Sequence, residues 1–164
     1  PTESSFLNML RGHLKAGSVL AHPEAYPLTT IAPGIAHGRL LGGNLSMIAA
    51  TMGTPYEIDA EGVILFIEDI NEPLYRIDRL LTHLRLAGTL RKLRGVLVGD
   101  VAGVDVSSLD RLLKQAFEPF RIPVLSGWRS GHCDPNLTLP MGALVRLNAG
   151  RQELVLEQDV VIRR

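Results

Sequence analysis

A mixed α/β fold follows from three features of this sequence: short apolar runs of strand length, amphipathic segments of helical spacing between them, and a closing pair of alternating strands. Val63 to Ile67, Gly95 to Val101 and Pro123 to Trp128 are the runs. They have the β-branched and aromatic content of strands buried on both faces. Asn71 to Ala87, and a shorter helix opening at Ser107 and ending near Phe117, alternate with them. Ala143 to Leu147 and Glu153 to Val160 read as a hairpin around Asn148-Ala149-Gly150.

Taken in order, Glu3 to Leu14 predicts a short helix, with Phe6, Leu7, Leu10 and Leu14 on one apolar stripe and Thr2 or Ser4 to cap it. From Gly17 to Gly38 the periodicity stops. Pro23, Pro27, Pro33 and Gly34 mark a connector, so the helix before it belongs with something upstream. Arg39 to Leu41 reads as a short strand, and Gly42-Gly43-Asn44 as a turn into a helix from Leu45 to Met52 that Gly53 stops. Asn71 is a suitable cap for the next helix, with Pro73 in its first turn, where a missing N–H costs nothing. Leu74, Ile77, Leu81 and Leu84 form its buried stripe, and Gly88 ends it. Ser107 followed by Asp110 resembles a capping box. Ser130 to Pro140 is a loop. The order of strands in the sheet is not readable from these patterns.

The 164 residues suffice for one domain with a buried core. Lysine plus arginine equals aspartate plus glutamate, 17 each, which leaves no global field to draw nucleic acid or an anionic membrane surface. The apolar runs are far too short to span a bilayer, and the first residues lack the pattern of a signal peptide. A single cysteine, Cys133, makes no internal disulfide, so a cytoplasmic location is expected. No internal repeat is visible.

Two places combine titratable groups with the ends of buried strands. At Ile67-Glu68-Asp69 an apolar strand runs out into carboxylates. A carboxylate held on such rigid backbone can orient a histidine, although Asp69 and Glu72 would equally suit the positive end of the following helix. In Ser130-Gly131-His132-Cys133-Asp134-Pro135-Asn136, His132 sits on a loop just past a strand. Histidine is the usual general base near neutral pH, and a loop histidine also serves simply as a hydrogen-bonding group. His13, His22, His37 and His83 have no metal-ligand spacing, and no cofactor motif is present. A Cys133–His132 nucleophile pair is disfavoured because sequence neighbours point apart. Gly42-Gly43-Asn44 lacks the full phosphate-loop pattern, and a tight turn accounts for its glycines. No serine lies in a G-x-S-x-G elbow; Ser46, Ser107, Ser108, Ser126 and Ser130 all suit capping, helix or strand-end roles.

Three segments together carry a resemblance. Gly42-Gly43-Asn44-Leu45-Ser46, the stretch from Leu65 through Glu68-Asp69-Ile70-Asn71-Glu72-Pro73 to Arg79, and Gly131-His132 followed by Pro135-Asn136 and Leu139-Pro140-x-Gly142 resemble the C-terminal domain of serine LD-carboxypeptidases. That family also includes the microcin C immunity peptidases. The resemblance implies a small mixed β/α domain of a two-domain peptidase with a Ser–Glu–His triad and no cofactor or metal. Glu68 and His132 take the glutamate and histidine positions, and the serine lies on an N-terminal domain outside this sequence. On that reading residues 1–16 are a helix of the N-terminal domain, 17–38 the interdomain linker, and 39–164 the C-terminal domain.

The implied partners are the nucleophile-bearing half, a murein tetrapeptide that loses its terminal D-alanine in cytoplasmic cell-wall recycling, and a second copy in a homodimer. The chain is then a separated half, by choice of its ends or by proteolysis, and inactive alone. Gly43, Asn44 and Arg76 are candidate substrate contacts; Arg79 and Arg129 are further cations for the substrate carboxylate. The alternatives are a microcin-type peptidase acting on a peptidyl-nucleotide analogue, with Trp128 a candidate to stack on the base, and an inactive dimerising or peptide-binding domain.

Overall fold

A computed structural model describes residues 1–161. Its elements run α1 (Thr2–Leu10), β1 (Thr29–Ala32), β2 (Ile35–Asn44), α2 (Leu45–Ala50), β3 (Val63–Ile70), α3 (Leu74–Leu86), β4 (Gly95–Ala102), α4 (Val106–Phe117), β5 (Val124–Ser126), β6 (Leu144–Asn148) and β7 (Glu153–Leu156). One seven-stranded sheet has the order β1-β5-β4-β3-β2-β6-β7. Its centre, β5 to β2, is parallel, and β1, β6 and β7 are antiparallel additions at the two sides.

Alternation along the central strands divides the core into two layers. Val63, Leu65 and Ile67 of β3 face α2, α3 and α4, packing with Ile77, Leu81, Leu113 and Phe117. Ile64 and Phe66 face the other way, into a layer with Leu40, Leu97, Trp128, Val145 and Leu154. The sheet curls around this second layer. The Thr30 hydroxyl donates to the Ala149 carbonyl at 2.6 Å, and the Gln152 side chain donates to the Leu28 carbonyl at 3.0 Å, so the β6–β7 hairpin meets the start of β1. Each fully buried Leu, Ile or Phe contributes about 1.5–3 kcal/mol relative to exposure.

Several expected elements shift. The stretch 17–38 contains β1 and the start of β2, plus a bridge between Val19 and Val155, so it is not a bare connector. Pro33-Gly34 interrupts the pattern only between two strands. β2 is ten residues long instead of three, and Gly42-Gly43-Asn44 are strand residues, not a turn. Both glycines have positive φ, +138° and +149°, in a mirrored extended conformation that hides them from strand patterning. α1 ends at Leu10, and its stripe is misassigned: Met9 is buried, whereas Phe6 and Leu10 are 51% and 60% exposed.

The caps differ too. Asn71 is left-handed at φ +59°, and Pro73 stands at the α3 cap position. Asp105, not Ser107, caps α4, accepting from the Ser108 N–H at 2.9 Å and the Ser107 hydroxyl at 2.8 Å. The last strand stops at Leu156, short of Val160.

Candidate active site

The two carboxylates at the end of β3 point to opposite faces of the sheet, because successive strand residues alternate. Asp69, 2% exposed, turns to the helical side. It accepts from Asn44 Nδ2 at 2.9 Å, Ser46 N at 2.9 Å, Ser46 Oγ at 2.8 Å and its neighbour Ile70 N at 2.9 Å. Asn44 Oδ1 meanwhile accepts from Met47 N at 3.1 Å. The start of α2 is thus saturated by the protein's own acceptors, and Asp69 secures α2 instead of the following helix. Replacing Asp69 by Ala leaves buried donors unpaired. The expected loss is about 2–4 kcal/mol of stability, read as a lower urea midpoint at unchanged m-value; an unshifted midpoint would remove Asp69 from this role.

Glu68, 6% exposed, turns to the curled side. The β3–β4 register changes here: Ile67 pairs with Val98, but Asp69 pairs with Val101. Gly99 and Asp100 therefore stand opposite Glu68 in a β-bulge, a device that re-aims side chains beside functional sites. A Cβ on Gly99 would press on the Phe66 ring and the Ser130 carbonyl, so the bare backbone lets the chain beyond β5 lie against β4. Trp128 N donates to the Val98 carbonyl at 3.0 Å, and Asp100 N to the Ser130 carbonyl at 3.0 Å.

That path delivers the loop carrying His132. Its base is closed by Ser130 Oγ donating to the Leu137 carbonyl at 2.6 Å, Leu137 N to the Arg129 carbonyl at 2.6 Å, and Gly131 N to Asn136 Oδ1 at 3.2 Å. α1 supports it from outside: Asn136 N donates to Thr2 Oγ1 and Thr138 N to Ser5 Oγ, both at 2.9 Å. Gly131, at φ +113°, lies so close that a Cβ there would meet Glu68 Oε2 at 2.6 Å. His132 Nδ1 and Glu68 Oε2 are 2.6 Å apart. A carboxylate only accepts, so the imidazole donates from Nδ1, and in its neutral form Nε2 keeps a free lone pair. Among the described residues Nε2 makes no hydrogen bond, and the His132 side chain is 48% exposed. A buried carboxylate that fixes an accessible imidazole in one tautomer leaves Nε2 able to accept a proton.

The other candidates distribute unevenly. Asn44 lies in register with Glu68, and Gly43 with Ile67, but Asn44 spends its side chain on Asp69 and Met47. Gly43 borders open space. Arg76, half exposed on α3, pairs with Glu72 just before that helix at 3.3 Å and makes no bond to Glu68 or His132. Cys133 Sγ donates to the Pro135 carbonyl at 3.3 Å, and burial pushes its thiol pKa up, the wrong direction for a nucleophile. No trio of His, Cys, Asp or Glu gathers as a metal site among the described residues, and no helix there is long and apolar enough to cross a membrane. Sequence reading missed His22. Its Nε2 accepts from Arg129 N at 3.1 Å, and its ring lies 5.0 Å from that of Trp128. Burial, then the nearby Arg129 charge, lowers its pKa, which favours the neutral acceptor form.

The family model for the LD-carboxypeptidase C-terminal domain matches residues 37–147. The chain belongs to this family. Among curated LD-carboxypeptidase relatives, a probable murein peptide carboxypeptidase of Bacillus subtilis is 43% identical over 143 residues, 84% of this chain and 45% of that protein. A putative carboxypeptidase of Streptomyces coelicolor is 39% identical over 91% of this chain and 50% of its own length. The chain thus spans about half the length of the curated relatives it matches. Among solved structures, the microcin C7 self-immunity protein as an inactive mutant in the apo state superposes with TM-score 0.81 at 25% identity, over 98% of this chain and 56% of that one. The muramoyltetrapeptide carboxypeptidase of Oxalobacter formigenes gives 0.65 at 32% identity, over 78% and 49%.

Proposed function

We propose that this chain supplies the general base and its orienting carboxylate to a serine LD-carboxypeptidase, with the nucleophilic serine on a segment outside the 164 residues. The 2.6 Å contact between Glu68 Oε2 and His132 Nδ1 carries the reading. With that proton held by Glu68, Nε2 accepts the proton of the attacking serine hydroxyl and then gives it to the departing amine. Glu68 stabilises the imidazolium formed in between. The exposed apolar residues Phe6 and Leu10 of α1 are consistent with a covering surface from the nucleophile-bearing part.

The substrate we favour is a murein tetrapeptide, which loses its terminal D-alanine in cytoplasmic cell-wall recycling, with the enzyme acting as a homodimer. Similarity to murein and muramoyltetrapeptide carboxypeptidases supports the substrate. The 0.81 superposition on the microcin C7 self-immunity protein supports a second reading, cleavage of an aminoacyl sulfamoyl nucleoside; solved complexes of that protein hold aspartyl sulfamoyl adenosine and glutamyl sulfamoyl guanosine.

The test compares D-alanine release from murein tetrapeptide with cleavage of aspartyl sulfamoyl adenosine by the chain joined to its nucleophile-bearing part. Faster turnover of the tetrapeptide is expected. Preference for the nucleoside selects the second reading. Turnover of neither by a folded assembly rejects both and leaves a binding domain. The 164 residues alone are expected to be inactive.

A further inference from the structure

We propose that Arg129 is a positioning residue that sets the distance between His132 and Glu68; this rests on the hydrolytic reading above. Arg129 precedes the His132 loop, and its side chain is largely buried. Nη1 meets Asp100 Oδ1 at 3.2 Å, and Nη2 donates to the Asp134 carbonyl at 2.8 Å. The guanidinium carbon lies 4.5 Å from the centre of the Tyr26 ring, a cation–π distance.

These partners matter for where they sit. Asp100 belongs to the bulge opposite Glu68, so it is fixed to the strand beside the carboxylate. Asp134 is two residues past His132, on the far side of the loop. Besides the His132–Glu68 contact and the Cys133 Sγ bond to the Pro135 carbonyl within the arc, the bonds among described loop residues close its base, between residues 129–131 and 136–137. One planar guanidinium therefore ties the free arc of the loop to β4, the strand paired with the one that carries Glu68. Lysine has no such two-pronged geometry. His22 and Tyr26 hold the same residue from behind, His22 accepting from its backbone N–H and the Tyr26 ring lying against its guanidinium. The Asp100 carboxylate and the Asp134 carbonyl take Nη1 and Nη2, the two outer prongs of the guanidinium.

The experiment reads the imidazole directly. In the 15N-histidine-labelled chain, the Nδ1–H of His132 is expected as a slowly exchanging downfield resonance that Glu68→Gln displaces. In Arg129→Met its exchange with water accelerates roughly tenfold or more, while the melting transition stays cooperative. In the assembled enzyme kcat falls about 100-fold with KM little changed, the signature of a misplaced catalytic group. Asp100→Asn, which barely alters shape, serves the same comparison if Arg129→Met does not fold. Unchanged exchange and kcat in a folded variant overturn the positioning role. A wild-type chain with no His132 resonance sensitive to Glu68→Gln overturns the Glu68–His132 reading itself, a different failure.

Discussion

Replacing His132 by Ala in the assembled peptidase is expected to lower turnover by roughly 10³–10⁶-fold while leaving the fold intact. The side chain is half exposed, and among the described residues its polar contact is with Glu68, so truncation opens no large cavity. Glu68→Gln should fall in the same range. The amide still fills the site beneath Gly131 but no longer compels Nδ1 to donate, so the tautomer with Nε2 as acceptor loses its support. The two losses should not add, because the residues act as a unit. The double variant is expected to be no slower than the worse single one. Near-normal kcat in either single variant, with folding verified, would remove that residue from the proposed triad.

Gly42→Ala is expected to be the most damaging single change to the fold, at about 4–6 kcal/mol, from a positive φ and a backbone overlap acting together. At φ +138° the position disfavours any side chain, and a Cβ there would overlap the Phe66 carbonyl of the neighbouring strand. Nothing flexible is available to move, since Phe66 belongs to the central strand and its ring lies in the core. A domain at the lower end of the usual range of about 5–15 kcal/mol would be largely unfolded by this loss. Thermal or urea denaturation decides the point. Gly43→Ala, where a Cβ meets open space, isolates the conformational part of the cost. If Gly42→Ala destabilised no more than Gly43→Ala, the overlap would not be the cause.

Much of the site was legible because strand ends and loops leave strong local marks. Val63 to Ile67 running into Glu68-Asp69 announced a buried strand delivering carboxylates, and His132 stood out on a loop just past a strand. What local pattern could not supply was which carboxylate faces the histidine. That depends on which side of β3 carries the helices, and it is settled by packing between layers. The same limit hid β1, whose partner Val124–Ser126 lies almost a hundred residues away and whose ends are masked by prolines. Phe6 and Leu10 have a helix's apolar spacing but, in these residues alone, no surface to meet. Asp105 outcompeted Ser107 as a cap because a carboxylate two residues earlier gathers both the backbone and the hydroxyl donor. Arg129 read as one of several cations for a substrate carboxylate; only the fold shows His22, Tyr26, Asp100 and Asp134 converging on it.

Hydrogen bonds from Asn136 and Thr138 to Thr2 and Ser5, and from Arg129 to His22, make residues well before the matched family segment responsible for shape at the histidine. The smallest autonomous piece worth expressing is therefore wider than its homology footprint. A version trimmed to residue 37 would retain Glu68 and His132 in its sequence and forfeit β1 along with the outer struts of the loop. Graftable parts of this architecture are accordingly set by mechanical support, not by the extent of detectable kinship.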